Sequence, residues 1–444
     1  MSSHESPRSK ALVISTVHWP WTVRLCSALS ASGFQVGAVV RAGYGIRKLK
    51  AAEFYAANHY SGMAATIAAA IEDWFPDILI PCDEPALHYL QELHMAISES
   101  PRRHRRRVME LLQTSLGDPA SFDIARKKSE FIAFALREGI PVPESVIVRR
   151  EPSLREQMLC DSYPVVLKID GSWGGIGVRI ARNPEEADRA FAELLAQSSW
   201  PHMVKQSVKK LSVEPLARFL KAPPPAISLQ RYVDGWPACR SIACREGDVL
   251  AGLSLQAVQT SSETGPSTVV QTIENPEMAE IAKHVVRRLR LSGLIGFDFV
   301  IEAGTRRPFL IEMNARATPT CHLSLDERSD LTGALAATFP GDRKRRPATI
   351  PTANRIALFP QELWRDPGSM HLRTSYHDVP WDNPAFIAAY ALPLPAEFPI
   401  WVGTLRRLAR SVKPLSRWTR KAAGSLGSMA TRTLTSIGAT REPL

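Results

Sequence analysis

Two hydrophobic rhythms run along the chain. Ala11 to Ser15 (ALVIS) is a short, nearly unbroken apolar run and predicts a buried strand. A helical spacing over Val23 to Ser32 follows and stops at Gly33. Phe34 to Val40 predicts a second strand, and Asp77 to Pro81 a third short one that runs into Cys82, Asp83 and Glu84. Strands alternating with helices predict an open α/β domain with a mostly parallel sheet. Polar residues just beyond such a strand end face a ligand crevice. No GxGxxG follows the first strand, so dinucleotide binding is not expected.

The pattern then changes. Asp123 to Glu138 predicts a helix closing at Gly139, ahead of Pro141 and Pro143. This places a domain boundary near Gly117 to Phe122. From Ser145 the pattern is one of strands and hairpins with two helices. One opens at Asn183, with Pro184, Glu185 and Glu186 behind it. The other opens at Asn275 and is expected to reach about Leu291 and end at Gly293. Beyond Phe339 proline and arginine dominate. The expected organisation is a disordered start over 1–10, an α/β domain over 11–118 and a two-lobed α+β domain over 119–335 (119–225 and 226–335). An irregular extension packed on the core would cover 336–403, and a basic tail 404–444.

In that tail Leu405, Leu408, Val412, Leu415 and Trp418 recur at helical spacing among seven basic residues, with Pro414 as a kink. A peripheral membrane contact through 404–421 and a solvated or packed helix are both open readings. The net charge of +11 suits anionic partners without choosing among them. Hydrophobic residues make up 45% of the chain, as in an ordinary globular protein. The opening Met1 to Lys10 lacks an apolar core, and the six cysteines form no CxxC pair. A cytoplasmic protein is expected, with or without contact at the inner membrane surface. The apolar stretch Ala385 to Gly403 is broken by Pro393, Pro395, Glu397 and Pro399, so a spanning segment is not expected. The basic run Pro101 to Arg107 reads as a solvated linker or an anion patch. No aromatic platform accompanies the basic residues, so specific nucleic-acid recognition is not expected.

The candidate chemistry lies in three segments. Phe297 to Ile301 and Phe309 to Asn314 read as a hairpin around the turn Ala303 to Arg307. A period of two puts Glu312 and Asn314 on one face and Ile311 with Met313 on the other. Asp298, on the partner strand, can join Glu312. Two carboxylates on one face repel unless a cation lies between them, and magnesium held by carboxylates and substrate phosphates fits best. A polar hairpin facing solvent is the plain alternative. Arg316 could steady a transferring phosphoryl group or bind a carboxylate, or serve in a structural ion pair. The second segment is Pro164 to Val178. Lys168 ends an apolar strand, and Gly171, Gly174, Gly175 and Gly177 follow in a turn able to admit phosphate oxygens. It lacks the GxxxxGK[ST] pattern of a P-loop. The third is Ile227 to Gly235, an apolar strand bearing Gln230 that could offer its edge to an adenine, or be simply another strand.

Taken in order, these segments resemble the ATP-grasp superfamily, whose members include biotin carboxylase, the carbamoyl-phosphate synthetase large subunit and D-alanine–D-alanine ligase. The resemblance covers about Phe122 to Leu325, and the region before it is similar to the α/β domain that usually precedes the fold. It implies ATP held between two lobes, with Mg2+ (or Mn2+) as the metal. Lys128, with Lys127 as a near rival, matches a phosphate-binding lysine, and Lys168 the second. Gly171, Gly174, Gly175 and Gly177 match the loop that closes over the triphosphate. Gln230, Tyr232 and Val233 match the adenine hinge. Asp298, Glu312 and Asn314 match the metal ligands, and Arg316 an arginine beside the reacting phosphate, so that Arg316 and Lys168 carry the catalytic roles. The implied reaction is activation of a carboxylate as an acyl phosphate and its capture by an amine, thiol or similar nucleophile. A kinase that stops at phosphorylation, and a nucleotide-binding scaffold targeted by its tail, are the alternatives. Trp236, Pro237 and Ala238 stand where many members hold the ribose with a carboxylate. Thr318, Pro319 and Thr320 replace the glutamate base of biotin carboxylase. His322, Ser324, Arg240, Asp83 and Glu84 are weaker substrate candidates. Oligomeric state and substrates carry no signature.

Overall fold

The structure, a computed structural model, describes residues 8–41, 52–58, 62–98, 105–148, 163–171, 175, 177–197, 204, 226–340, 355–381 and 383–390. The basic tail 404–444, Gly174, residues 1–7, and 341–354 and 391–403 of the expected extension fall outside these residues.

The chain opens with β1 (Lys10–Ser15), α1 (Pro20–Ala31), β2 (Gln35–Arg41), β3 (Phe54–Asn58), α2 (Met63–Trp74), β4 (Ile78–Pro81), α3 (Glu84–Ser98) and α4 (Arg105–Leu116). The four strands form a parallel sheet in the order β3-β2-β1-β4. Parallel strands are covered on both faces, which is why β1 is apolar at every position from Ala11 to Ile14. Ala11 and Val13 face Trp21, Leu25 and Leu29 of α1. Leu12 and Ile14 face Ile67 and Ile71 of α2 and Leu87 and Leu90 of α3. A side chain at Gly37 of β2 would stand 2.6 Å from the Trp74 ring, so glycine makes room for that indole.

The strand order reverses at β1, so its carboxyl end and that of β4 flank a switch-point crevice. Asp83 lies there, 3% exposed. It accepts hydrogen bonds from Thr16 N at 2.6 Å, Val17 N at 3.0 Å, Thr16 Oγ1 at 2.9 Å and Ala86 N at 3.0 Å. Asp83 therefore staples the loop after β1 to the start of α3.

A helical pair follows: α5 (Phe122–Arg126) and α6 (Lys128–Arg137). The single helix expected from Asp123 to Glu138 is broken at Lys127, whose backbone is extended (φ −110°, ψ 119°). Apolar spacing continues across the break, so the pattern carried no sign of it. Next come β5 (Ser145–Val148), β6 (Val165–Ile169), β7 (Val178–Ala181), α7 (Pro184–Gln197) and β8 (Ile227–Arg231). They form an antiparallel sheet, β5-β8-β6-β7, covered by Ala187, Ala190, Phe191 and Leu194 of α7. Asn183 Oδ1 accepts from Glu186 N at 2.8 Å and caps α7.

The rest comprises β9 (Gly235–Arg245), β10 (Asp248–Thr260), β11 (Ser267–Thr272), α8 (Pro276–Leu289), β12 (Gly293–Glu302), β13 (Pro308–Asn314), α9 (Leu331–Ala336), β14 (Arg355–Ala357), α10 (Gln361–Arg365), α11 (His371–Thr374), β15 (Tyr376–His377) and α12 (Pro384–Tyr390). The strands make a seven-stranded sheet in the order β13-β12-β9-β10-β11-β14-β15. Asn275 caps α8 through Met278 N at 2.9 Å. The helix ends at Leu289, earlier than the expected Leu291–Gly293, because Arg290 takes the left-handed turn (φ 48°) in place of a glycine.

α6 and α8 bury Phe131, Phe134, Met278, Ile281, Val285 and Val286 against Ile242, Ile295, Phe297 and Phe299 on one face of this sheet. Part of the other face meets the first domain: Ala243, Leu294, Ala317 and Cys321 share a core with Trp21, Leu25 and Phe34, joined by Phe359, Phe386 and Tyr390. The two domains are thus one hydrophobic unit across that joint. Among the described residues no helix is long and apolar enough to cross a membrane.

Candidate active site

β12 and β13 pair with Asp298 opposite Glu312 and Gly296 opposite Asn314. Asn314 Nδ2 donates to Asp298 Oδ2 at 2.8 Å. The register slips between Asp298 and Phe299, so Ile311 is an extra residue with no partner position. This corrects the strict alternation expected for β13. Met313 is buried, whereas Ile311 stays half-buried, and both line the cleft beside Glu312. A bulge of this kind has no signature in residue types.

The cleft is bounded by Glu84 and His88 of α3, Ile124 to Arg126 of α5, Lys127, Lys128 and Phe131, Gly171 beyond β6, and Ile311 to Met313 of β13. The break at Lys127 turns the start of α6 into this cleft. Lys128 Nζ lies 3.2 Å from Glu312 Oε1, while Lys127 stands 4.0 Å from Asp123. Lys128 rather than Lys127 thus reaches the paired carboxylates. Asp170, which the sequence reading passed over, ties β6 to α6: its carboxylate accepts from Ser129 N at 3.2 Å and Ser129 Oγ at 2.7 Å. That contact brings the end of the Lys168 strand against the Lys128 turn. A carboxylate two residues after the strand lysine was the one available signal.

The electrostatics are those of a crowded, desolvated charge cluster. Burial and the neighbouring Glu312 push Asp298 up to about 6. Burial pulls Lys168 down to about 8, helped by Lys128 and opposed by Glu312 and Asp298. Burial raises Glu84, against the pull of Arg316. Arg316 is the hub: its Nε donates to Glu84 Oε1 at 3.0 Å, Nη2 to Asn314 Oδ1 at 2.9 Å and Nη1 to the Ala317 carbonyl at 3.1 Å.

Two carboxylates and an amide oxygen form a hard-oxygen donor set, and Asp298 carries a charge excess that a cation would relieve. The residues present therefore fit a divalent ion bound with phosphates. Among the described residues no group of three or more His, Cys, Asp or Glu side chains is gathered as a metal cluster.

The glycine turn and the hinge lie in the antiparallel sheet's lobe. Gly171 and Gly175 both have left-handed backbones (φ 74° and 78°). A Cβ at Gly175 would stand 2.0 Å from the Thr264 carbonyl oxygen, so this turn lies directly against the β10–β11 hairpin. Arg182, beyond β7, pairs with Glu263 of the same hairpin. Gly177 accepts from Ile169 N at 3.0 Å, closing the turn. Gln230 is buried, and its Nε2 donates to Ser145 Oγ of β5 at 3.0 Å. Val233 is buried and Tyr232 half-buried at the crossing from β8 to β9.

Of the weaker substrate candidates, Glu84 lines the cleft, while Arg240, His322 and Ser324 are placed elsewhere. Arg240 lies opposite Phe297 in the register, on the sheet face away from Asp298, and donates to Ser254 Oγ at 2.7 Å. His322 Nε2 meets Asp378 Oδ2 at 3.0 Å in the interior. Ser324 donates to the Asp326 carbonyl at 3.2 Å within its own loop. Thr318 and Thr320 each lie 2.9 Å from Ser241 Oγ in a closed hydroxyl cluster.

Residues 125–320 match a family described as the ATP-grasp domain. Among curated proteins, the carbamoyl phosphate synthase large chain of Sulfurisphaera tokodaii is 24% identical over 216 residues, 47% of this chain. The chain covers 19% of that relative's length. Among solved structures, an L-amino acid ligase from Bacillus licheniformis superposes with a TM-score of 0.53 at 14% identity, covering 76% of this chain and 78% of that one. A biotin carboxylase from Campylobacter jejuni, solved as a β,γ-ATP complex, gives 0.54 at 14% identity over 76% and 72%. The chain carries an ATP-grasp fold preceded by an open parallel α/β domain.

Proposed function

We propose that this protein is an ATP- and magnesium-dependent ligase. It activates a carboxylate as an acyl phosphate and hands the acyl group to an amine or similar nucleophile. The observation that carries the reading is the convergence of Lys128, Lys168, Asp298, Glu312, Asn314 and Arg316, from three separate stretches of chain, on one charge cluster beside the cleft. Asp298, Glu312 and Asn314 would hold the magnesium, which when bound neutralises phosphate charge. Lys128 and Lys168 bind phosphate oxygens, and Arg316 steadies the transferring phosphoryl group. The substrate carboxylate oxygen attacks the γ-phosphorus, the bond to the β-phosphate oxygen breaks, and ADP leaves. The nucleophile then attacks the acyl carbon, inorganic phosphate departs, and the nucleophile's proton passes to solvent. The hinge backbone around Tyr232 and Val233 receives the adenine, just beyond Gln230, which is buried between β5 and β6 with its Nε2 donating to Ser145 Oγ.

The test is an ATP turnover screen with Mg2+ and pools of small carboxylates, amines and thiols, reading ADP, phosphate and new masses. A ligase gives a joined product, and an 18O-labelled carboxylate delivers one label into inorganic phosphate. A phosphorylated acid accumulating without joining supports the kinase reading. Failure of Mg·ATP to bind overturns both.

The glycine turn gives a second test. Gly175→Ala is expected to raise KM for ATP about tenfold, the equivalent of roughly 1.4 kcal/mol, because the methyl group must displace the Thr264 carbonyl from a left-handed position. Gly171→Ala has open space around its Cβ and should change KM much less. Steady-state kinetics of the pair decide it; equal effects would show that strain alone, and not the hairpin contact, matters.

A further inference from the structure

Each of the three guanidinium nitrogens of Arg316 has a partner before any ligand is considered, and one of those partners comes from a different domain. Glu84 is the first residue of α3, just beyond β4 and next to the Asp83 staple. Its side chain is 16% exposed and that of Arg316 14%. A second bond, from Ala317 N to the Pro81 carbonyl at 2.9 Å, locks the segment after Arg316 to the same end of β4. A relay therefore runs from Glu84 through Arg316 and Asn314 to Asp298, with links of 3.0, 2.9 and 2.8 Å.

The relay contains a conflict. Asn314 Oδ1 accepts from Arg316 Nη2, and the same oxygen is the one a cation would take. A cation on that oxygen repels the guanidinium that shares it, so Arg316 shifts off Asn314 when the ion binds, yet must remain close enough to reach phosphate. Resting on the ligase reading above, we propose that Glu84 is a positioning residue that anchors Arg316 through Nε, so that the guanidinium yields Asn314 to the ion without leaving the site. Without that anchor the arginine's charge is balanced by Asp83, Asp298 and Glu312, two of them on the metal face, where it competes with the ion.

The experiment is a double-mutant cycle read by binding, with no turnover required. Mn2+ affinity in the presence of a non-hydrolysable ATP analogue is measured by electron paramagnetic resonance on wild type, Glu84→Ala, Arg316→Ala and the double variant. Melting temperatures verify folding. Glu84→Ala is expected to weaken Mn2+ binding about fivefold in the wild-type background and less than about twofold in the Arg316→Ala background, the coupling expected of one shared element. Glu84→Gln, which keeps the acceptor for Nε, should fall between wild type and Glu84→Ala. Equal weakening in both backgrounds overturns the proposal, because Glu84 would then act on the ion without Arg316. Absence of Mn2+·nucleotide binding in wild type itself would instead overturn the functional reading on which it rests.

Discussion

Glu312→Gln is expected to lower ATP turnover by about 10²- to 10³-fold, the range lost when one charge-stabilising group is removed from a desolvated site. Glu312 stands opposite Asp298 in the β12–β13 ladder and faces Lys128 at 3.2 Å, so it contributes to both the ion and the phosphate side of the cleft. The amide keeps the volume and one oxygen but removes the charge. Nucleotide affinity without metal should change little, while the tightening produced by Mg2+ should largely disappear. Calorimetric titration of ATP with and without Mg2+ separates the two. There is a further consequence for Asp298. Burial and Glu312 together hold its carboxyl near 6, so removing the Glu312 charge should bring it down toward the ordinary carboxylate range. Undiminished Mg2+-dependent turnover in Glu312→Gln would rule out the metal face as assigned.

The second large effect is on stability. Asp378→Ala should destabilise the fold by about 3–5 kcal/mol, the usual result of removing one partner from a buried ion pair. Asp378 is 2% exposed, pairs with Arg24 of α1, and accepts from His322 Nε2 at 3.0 Å. It ties together the first domain, the loop beyond β13 and the segment after β15. Burial alone would raise its carboxyl, but Arg24 and His322 outweigh that and hold it below the usual value. The sign follows from linkage. A depressed folded-state value contributes stability that is complete above the unfolded-state carboxylate range and is lost as pH falls through the folded-state value. Wild-type melting temperature should therefore drop on acidification through and below the ordinary carboxylate range, and Asp378→Asn should show a shallower drop over the same window. Parallel pH–melting curves would show that this cluster is not what acid disrupts.

The residue pattern determined a good deal about this protein. The strand runs at Ala11 and Asp77 and the caps at Asn183 and Asn275 depend on local chemistry, and local chemistry is what a sequence displays. The hairpin bearing Asp298, Glu312 and Asn314 was legible for the same reason, since period-two alternation needs only neighbours in the chain. The order of the lysine, glycine, hinge and carboxylate segments was enough to suggest the ATP-grasp fold.

What the tertiary structure alone decided are the features that depend on residues far apart in the chain. The break at Lys127 arises where Asp170 meets Ser129, 41 positions away. The incomplete burial of Ile311 follows from a one-residue mismatch with the partner strand, which depends on where that strand lies and on no property of isoleucine. His322 reads in the chain as a weak substrate candidate beyond the metal strand, and the structure pairs it instead with Asp378, 56 positions away. Glu84 was indistinguishable from Asp83 on paper, yet Asp83 is consumed by five neighbouring donors while Glu84 crosses a domain boundary to Arg316. Hydrophobic period and capping are set by the next few residues. The partner of a charged side chain is set by chain closure, and becomes visible only when the chain is folded.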